Sequence, residues 1–249
     1  MVEGRVRRVI QDWKERELPL IKSRDVKIEH LIELDHLIDI LGIRRCGKTY
    51  LMFYIIKKLM EKKVKRERII YINFENRALY PLNNKLLEEV LNYVYEENLL
   101  EKEKRIFLFF DEIQTVPGWE RWIRNVYDEF KGKIKFFVSG STSKIARKDV
   151  AMLLTGRHVS LKLFPLDFNE FLNFKDFSFD LKEVQFSRKK QAQLKSLLKE
   201  FMEFGGFPEV ALIDDRLKKD EILRAYYEAV SYTHLRAHET RHELVCRLL

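Results

Sequence analysis

Gly42, Gly47, Lys48 and Thr49 stand at the spacing G-x-x-x-x-G-K-[ST], inside the stretch Asp39-Ile40-Leu41-Gly42-Ile43-Arg44-Arg45-Cys46-Gly47-Lys48-Thr49. These residue types suit the holding of a polyphosphate. Gly42 and Gly47 let the backbone turn where a Cβ would collide, and leave room for phosphate oxygens. The N–H groups from Arg44 to Lys48 can converge on an anion. Lys48 would reach the β- and γ-phosphates, and the Thr49 hydroxyl would ligate a magnesium ion. Gly42, Arg44, Arg45, Cys46, Gly47, Lys48, Thr49 and Tyr50 are therefore the nucleotide-binding candidates. The alternative is a glycine-containing turn that matches by accident.

A second group lies downstream. The apolar run Ile106-Phe107-Leu108-Phe109-Phe110 ends in Asp111-Glu112. Asp111 would hold the magnesium through water, which with Thr49 makes the metal set. Glu112 would orient and deprotonate an attacking water. The alternative is a polar strand end at the sheet rim. Ser141 is the preferred hydroxyl for sensing a γ-phosphate, with Thr142 second; either could instead cap the next helix. Arg157 would stabilise transition-state charge, in cis or from a neighbouring subunit, or is a surface arginine. Glu112, Lys48, Arg157 and Ser141 form the catalytic set.

These residues need a scaffold, and the hydrophobic periodicity supplies one. Leu37–Leu41 reads as a strand, the loop follows, and Lys48–Lys63 reads as a helix, which is the context a phosphate cradle requires. Ile69–Phe74 is a strand apolar on both faces, as in a buried parallel sheet. Lys85–Asn98 is a helix, Ile106–Phe110 a strand, and Trp119–Phe130 a helix after the Pro117-Gly118 turn. Lys135–Ser139 and Val159–Leu163 complete five strands. Arg5–Trp13 reads as a short amphipathic helix. Beyond Phe164, helices are expected over Asp167–Phe171, Ser187–Phe204 (Leu194, Leu197, Leu198 and Phe201 aligned) and Arg216–Glu228, with a sharp turn at Gly205-Gly206-Phe207-Pro208. The fold class is thus α/β: a five-stranded, mainly parallel sheet flanked by helices, plus a small helical lid. The divisions are a helical segment over 1–35, the nucleotide core over 36–164, a lid over 165–229 and a tail over 230–249.

Composition narrows the function classes. A chain of 249 residues, 46% hydrophobic and 35% charged, is globular rather than disordered. Its apolar runs, such as Ile106–Phe110, are far too short to span a bilayer, and the N-terminus carries no apolar signal core. A cytoplasmic location is the default. The net charge of +8 is concentrated in Lys57-Lys58, Lys62–Arg66 and Arg188–Lys190. That permits a DNA-binding face, but basic residues at helix ends give the same pattern.

The last twenty residues read differently. Val230–Thr240 resembles the read-through translation of a transposase-type sequencing adapter, and Leu244–Leu249 resembles its distal end; Glu243 is a small departure. On this reading the natural sequence ends near Glu228 or Ala229, the lid is truncated and the chain is a fragment; the alternative is a genuine basic C-terminal helix. His234, His238 and His242 are then no metal cluster, and Cys246 drops out. Cys46 is left as a lone cysteine, so no disulfide is expected.

From Arg5 to Glu228 the chain resembles a family of prokaryotic AAA+-type P-loop ATPases. The carrying segments are Gly42–Thr49, Tyr71-Ile72-Asn73-Phe74-Glu75, Phe110-Asp111-Glu112-Ile113-Gln114, Val138-Ser139-Gly140-Ser141, Leu154-Thr155-Gly156-Arg157, Pro165-Leu166-Asp167-Phe168 and Gly205–Val210. The resemblance implies an α/β nucleotide-binding core, a helical lid and a further C-terminal domain of unsettled role. Asn76 stands where many relatives look acidic and receives no role. Cys46 stands where a small residue is usual, and at a helix N-terminus its thiol is expected to be acidic and open to oxidation.

The expected activity is hydrolysis of Mg-ATP to ADP and phosphate, driving a conformational change in an attached C-terminal or partner domain. The expected cofactors are ATP and Mg2+. A DNA-binding module using ATP as a switch is one alternative; a P-loop kinase is another, disfavoured by the glutamate next to Asp111. A DNA or protein partner and a homo-oligomer formed through Arg157 fit the same reading.

Overall fold

The computed structural model describes residues 4–100, 104–141 (the backbone alone at Ser141), 154–178 and 186–228. Thr142 and the whole tail beyond residue 228 lie outside the described residues. What is described divides into two compact units, separated between Phe164 and Pro165.

The first unit is built on five parallel strands: β1 (Leu37–Gly42), β2 (Ile69–Asn73), β3 (Ile106–Asp111), β4 (Ile134–Ser141) and β5 (His158–Lys162). Their order across the sheet is β2-β3-β4-β1-β5. All four pairings are parallel, so the sheet is wholly rather than mainly parallel. β1, β2 and β3 are buried almost throughout because both faces are covered, as parallel sheets require.

Period-two alternation sorts the side chains between two cores. Ile106, Leu108 and Phe110 of β3 join Ile70, Ile72, Phe136 and Val138 on one face. There they meet α4 (Lys85–Glu96) and α5 (Trp119–Glu129) through Leu86, Val90, Trp122 and Ile123. Phe107 and Phe109 join Ile38, Ile40, Tyr71 and Phe137 on the other face, covered by α3 (Lys48–Glu61) through Leu51, Met52, Ile55 and Ile56. Phe109 and Phe137 stack across neighbouring strands at 4.7 Å.

The N-terminal residues are part of this unit rather than a segment beside it. α1 (Arg5–Glu15) places Val6, Val9 and Ile10 in the first core and Trp13 in the second. It therefore wraps the edge strand β2. The Trp13 indole N–H donates to Ile69 O at 2.8 Å, satisfying a carbonyl at the strand's start. A short helix α2 (Ile28–Glu33), unmarked by any sequence signal, precedes β1.

The basic runs are partly absorbed by the fold. Arg66 lies over the Trp13 ring and donates to Trp13 O at 2.8 Å. Just beyond that run, Arg68 is buried and donates to Leu99 O and Lys104 O. Lys58 pairs with Glu61 at 2.9 Å.

The second unit is helical: α6 (Phe168–Phe174), α7 (Arg188–Phe204), α8 (Pro208–Ala211) and α9 over 216–228. Asp167 and Glu170 form a reciprocal capping box at the start of α6. Leu197 and Phe201 of α7 pack on Phe168 and Phe171. Leu198, expected on the same face, is exposed instead. The turn before α8 brings Gly206 against the start of the unit, where Leu166 N donates to Gly206 O at 2.7 Å.

Candidate nucleotide and metal site

Parallel strands all end on one edge of the sheet, and the polar ends of β1, β3 and β4 meet there. β1 delivers the chain into the loop, whose Gly47 has φ 96° and caps α3. Arg45 also takes a left-handed conformation, φ 67°. The first turn of α3 has neither a side-chain cap nor an acidic residue. Its N–H groups and dipole are thus left for an anion supplied from elsewhere. The Lys48 ammonium is buried and donates to Gly42 O and Ile43 O, both at 3.1 Å. Arg44, Arg45 and Tyr50 are exposed. A loop of amides and cations with no carboxylate matches a polyphosphate in charge and hydrogen-bonding sense.

Gly42 is required for a different reason from the one its spacing suggests. A Cβ there would stand 2.5 Å from Leu163 O and 2.6 Å from Cys46 Sγ. The missing side chain makes room for β5's exit and for the cysteine, not for phosphate oxygens. Cys46 itself is wholly buried in the core under α3. Burial pushes its thiol pKa up, against the opposing pull of Lys48 and Arg24. This corrects the expectation of an acidic, oxidisable thiol: the sulfur faces apolar side chains, where desolvation outweighs the helix N-terminus.

Thr49 Oγ1 donates to Asp111 Oδ2 at 2.7 Å, so the two residues proposed for metal holding are in direct contact. Asp111 is buried and receives two further donors. Tyr71, on β2, gives its phenol to Oδ2 at 2.9 Å, and the Ser139 hydroxyl on β4 gives to Oδ1. Burial and the adjacent carboxylate push the Tyr71 phenol far above its ordinary range, so it stays protonated and remains a donor. A hydroxyl and a fixed carboxylate are hard oxygen donors of the kind magnesium selects.

Glu112 follows Asp111 in a left-handed conformation, φ 53°, ψ 40°. Its N–H donates to Ser139 Oγ at 3.2 Å, and its carboxylate accepts from the Gln114 amide. Ser141, the hydroxyl picked from sequence, ends β4 opposite Gly42 of β1; only its backbone is described. Ser139 is the strand-end hydroxyl that touches the acidic pair. The sequence carries it only within the resemblance and gives it no role, because nothing local marks it: the pairing of Phe110 with Val138 sets Asp111 beside it. Tyr71 and Gln114 were quoted only for their resemblance. Arg24, which donates to Cys46 O at 3.0 Å and Phe164 O at 2.8 Å, gave no signal at all.

Arg157 does not join this group. It immediately precedes β5, and its carbonyl accepts from Leu37 N at the start of β1. That is the opposite edge of the sheet, about 16 Å away along a six-residue strand. Its guanidinium grips both oxygens of Asp128 on α5, at 2.7 and 3.0 Å. Within this chain the structure does not bring Arg157 to the phosphate loop.

Strand order, loop and acidic strand end together define an α/β P-loop protein. A sequence profile described as "AAA domain" matches residues 35–172, more than half of the chain, and the chain belongs to that family. It is 39% identical over 197 residues to the uncharacterized protein MJ1544 of Methanocaldococcus jannaschii, covering 78% of this chain and 40% of that protein. An uncharacterized protein of Haemophilus influenzae is 28% identical over 211 residues, covering 84% of this chain and 49% of that one. The chain thus spans less than half the length of these curated relatives. Among solved structures it is similar to the S. cerevisiae Hsp104-ADP complex, with a TM-score of 0.53 at 15% identity, covering 92% of this chain and 35% of that one. That likeness concerns the fold. Among the described residues no helix is long and apolar enough to cross a membrane.

Proposed function

We propose that this protein binds Mg-ATP at Gly42–Thr49 and hydrolyses it to ADP and phosphate. The observation that carries the reading is the 2.7 Å contact between Thr49 Oγ1 and Asp111 Oδ2, which sets the phosphate loop and the acidic strand end against one another. The ADP of the structurally similar complex is consistent with it.

In this reading Lys48 leaves the loop carbonyls for the β- and γ-phosphates, and the amides at the start of α3 receive the remaining oxygens. Thr49 and Asp111 would hold magnesium, which neutralises phosphate charge. Glu112 takes a proton from water as the water oxygen bonds to the γ-phosphorus. The bond from that phosphorus to the bridging oxygen breaks, and ADP leaves with the electron pair. Tyr71 and Ser139 keep Asp111 from turning away. Arg157 acts on the site of a neighbouring subunit, so the active form is an oligomer. The helical unit over 165–228 serves as the lid that carries the change onward, and the location is the cytoplasm.

The test is Glu112→Gln. Turnover should fall by about 10²- to 10⁴-fold while ATP affinity holds. Full turnover in that variant sinks the reading.

A further inference from the structure

Glu112 is fixed at three points. Ser139 Oγ holds its N–H, and its carbonyl accepts from Thr115 N at 3.2 Å and Thr115 Oγ1 at 2.8 Å. The third point is the side chain, where Gln114 Nε2 donates to carboxylate oxygen Oε2. The first two fix the backbone of a residue in a left-handed turn; among the described residues only Gln114 fixes the carboxylate.

The same amide has an unmet need. Gln114 Oε1 is buried and has no hydrogen-bond partner among the described residues. A buried carbonyl oxygen without a donor is rare and calls for one. A water bound to the other oxygen of Glu112 has two hydrogens, one for the carboxylate and one to offer a nearby acceptor, which leaves its lone pairs for attack. Ile113, between the two polar residues, is wholly buried and anchors the turn that sets them side by side.

We propose that Gln114 is the positioning residue of the hydrolytic step: its Nε2 locks the Glu112 carboxylate, and its Oε1 marks where the water's second hydrogen is received. The proposal rests on Glu112 being the base. It assigns Gln114 no part in holding nucleotide, so it makes a split prediction for kinetics.

The experiment measures steady-state turnover and equilibrium ATP affinity in the purified protein carrying Gln114→Leu, Gln114→Glu, Glu112→Gln, and Glu112→Gln with Gln114→Leu. Both Gln114 variants should lose about 10- to 100-fold in kcat, the effect of a misplaced catalytic group. KM and ATP affinity should stay within about two-fold, which also reports that the site is folded. In the Glu112→Gln background, Gln114→Leu should cost nothing more, since a positioning residue has nothing left to position. Unchanged kcat in both Gln114 variants overturns the proposal. So does a loss that multiplies in the double variant, because Gln114 would then act apart from Glu112. If Glu112→Gln turns over like wild type, the base assignment itself fails, and that outcome is distinct from the other two.

Discussion

Lys135 carries a buried ammonium with no carboxylate within ion-pair distance among the described residues. It is 1% exposed, lies near the start of β4, and donates to Leu34 O at 2.7 Å and to His36 O. It also stands 5.3 Å from the centre of the Phe137 ring. Burial pushes its pKa down to about 7 from 10.5, with Arg105 adding to the fall and Asp35 opposing it. Between those two values the unfolded chain holds a proton that the folded chain has released. Folding stability must then rise with pH from about 7 toward 10.5, by up to about 1.4 kcal/mol per pH unit. Lys135→Met removes the ionisable group and should flatten that rise. Its own pH-independent cost comes from two carbonyls left without a donor. Denaturant unfolding of both proteins at pH 7, 8 and 9 checks this; parallel curves would show that the ammonium titrates normally.

At the scale of elements, Gly205 and Gly206 are adjacent and needed for unrelated reasons. Gly205 ends α7 with φ 72° and ψ −166°, a region essentially closed to other residues, yet a Cβ there would meet nothing within 4 Å. Gly206 carries no such constraint, but a Cβ would stand 2.1 Å from Leu166 O, a backbone atom that cannot swing aside. Gly205→Ala should therefore cost about 1–3 kcal/mol through backbone strain. Gly206→Ala should cost at least as much by prising Leu166 away and breaking the Leu166–Gly206 hydrogen bond. Hydrogen exchange should separate them. Gly206→Ala exposes the Leu166 amide to exchange, while Gly205→Ala leaves it protected.

The same pair shows what kind of information was legible beforehand. The glycine turn, the phosphate loop and the strand ending in Asp111-Glu112 are local patterns, and the structure places the five strands within two residues of the expected bounds, while α6 runs three residues past its expected end and α2 and α8 carry no expectation. Ser139 and Tyr71 reach Asp111 only through strand register, which joins residues 28 and 40 positions apart. Trp13 and Ile10 separate to opposite faces because α1 wraps an edge strand, and a helical period cannot announce which edge it will meet.

For the whole molecule, the placement of Arg157 sets what the proposed hydrolysis would require of a second copy. The phosphate loop and Arg157 sit at opposite edges of one sheet, so any catalytic use of Arg157 needs a second copy. Head-to-tail contacts bring unlike edges together, and closed rings of them leave no site unserved. Arg157→Ala should then lose about 10³-fold or more in turnover, the usual worth of an arginine supplied across an interface. Glu112→Gln should lose about 10²- to 10⁴-fold for an independent reason. Mixed in equal amounts, the two impaired variants should recover turnover. A site offering Glu112 from the Arg157→Ala chain beside Arg157 from the Glu112→Gln chain is complete, and random assembly produces it in about a quarter of interfaces. Recovery that grows with total protein concentration would tie the activity to assembly. A mixture as inactive as its components, under conditions where wild type turns over, would leave Arg157 as nothing more than the partner of Asp128.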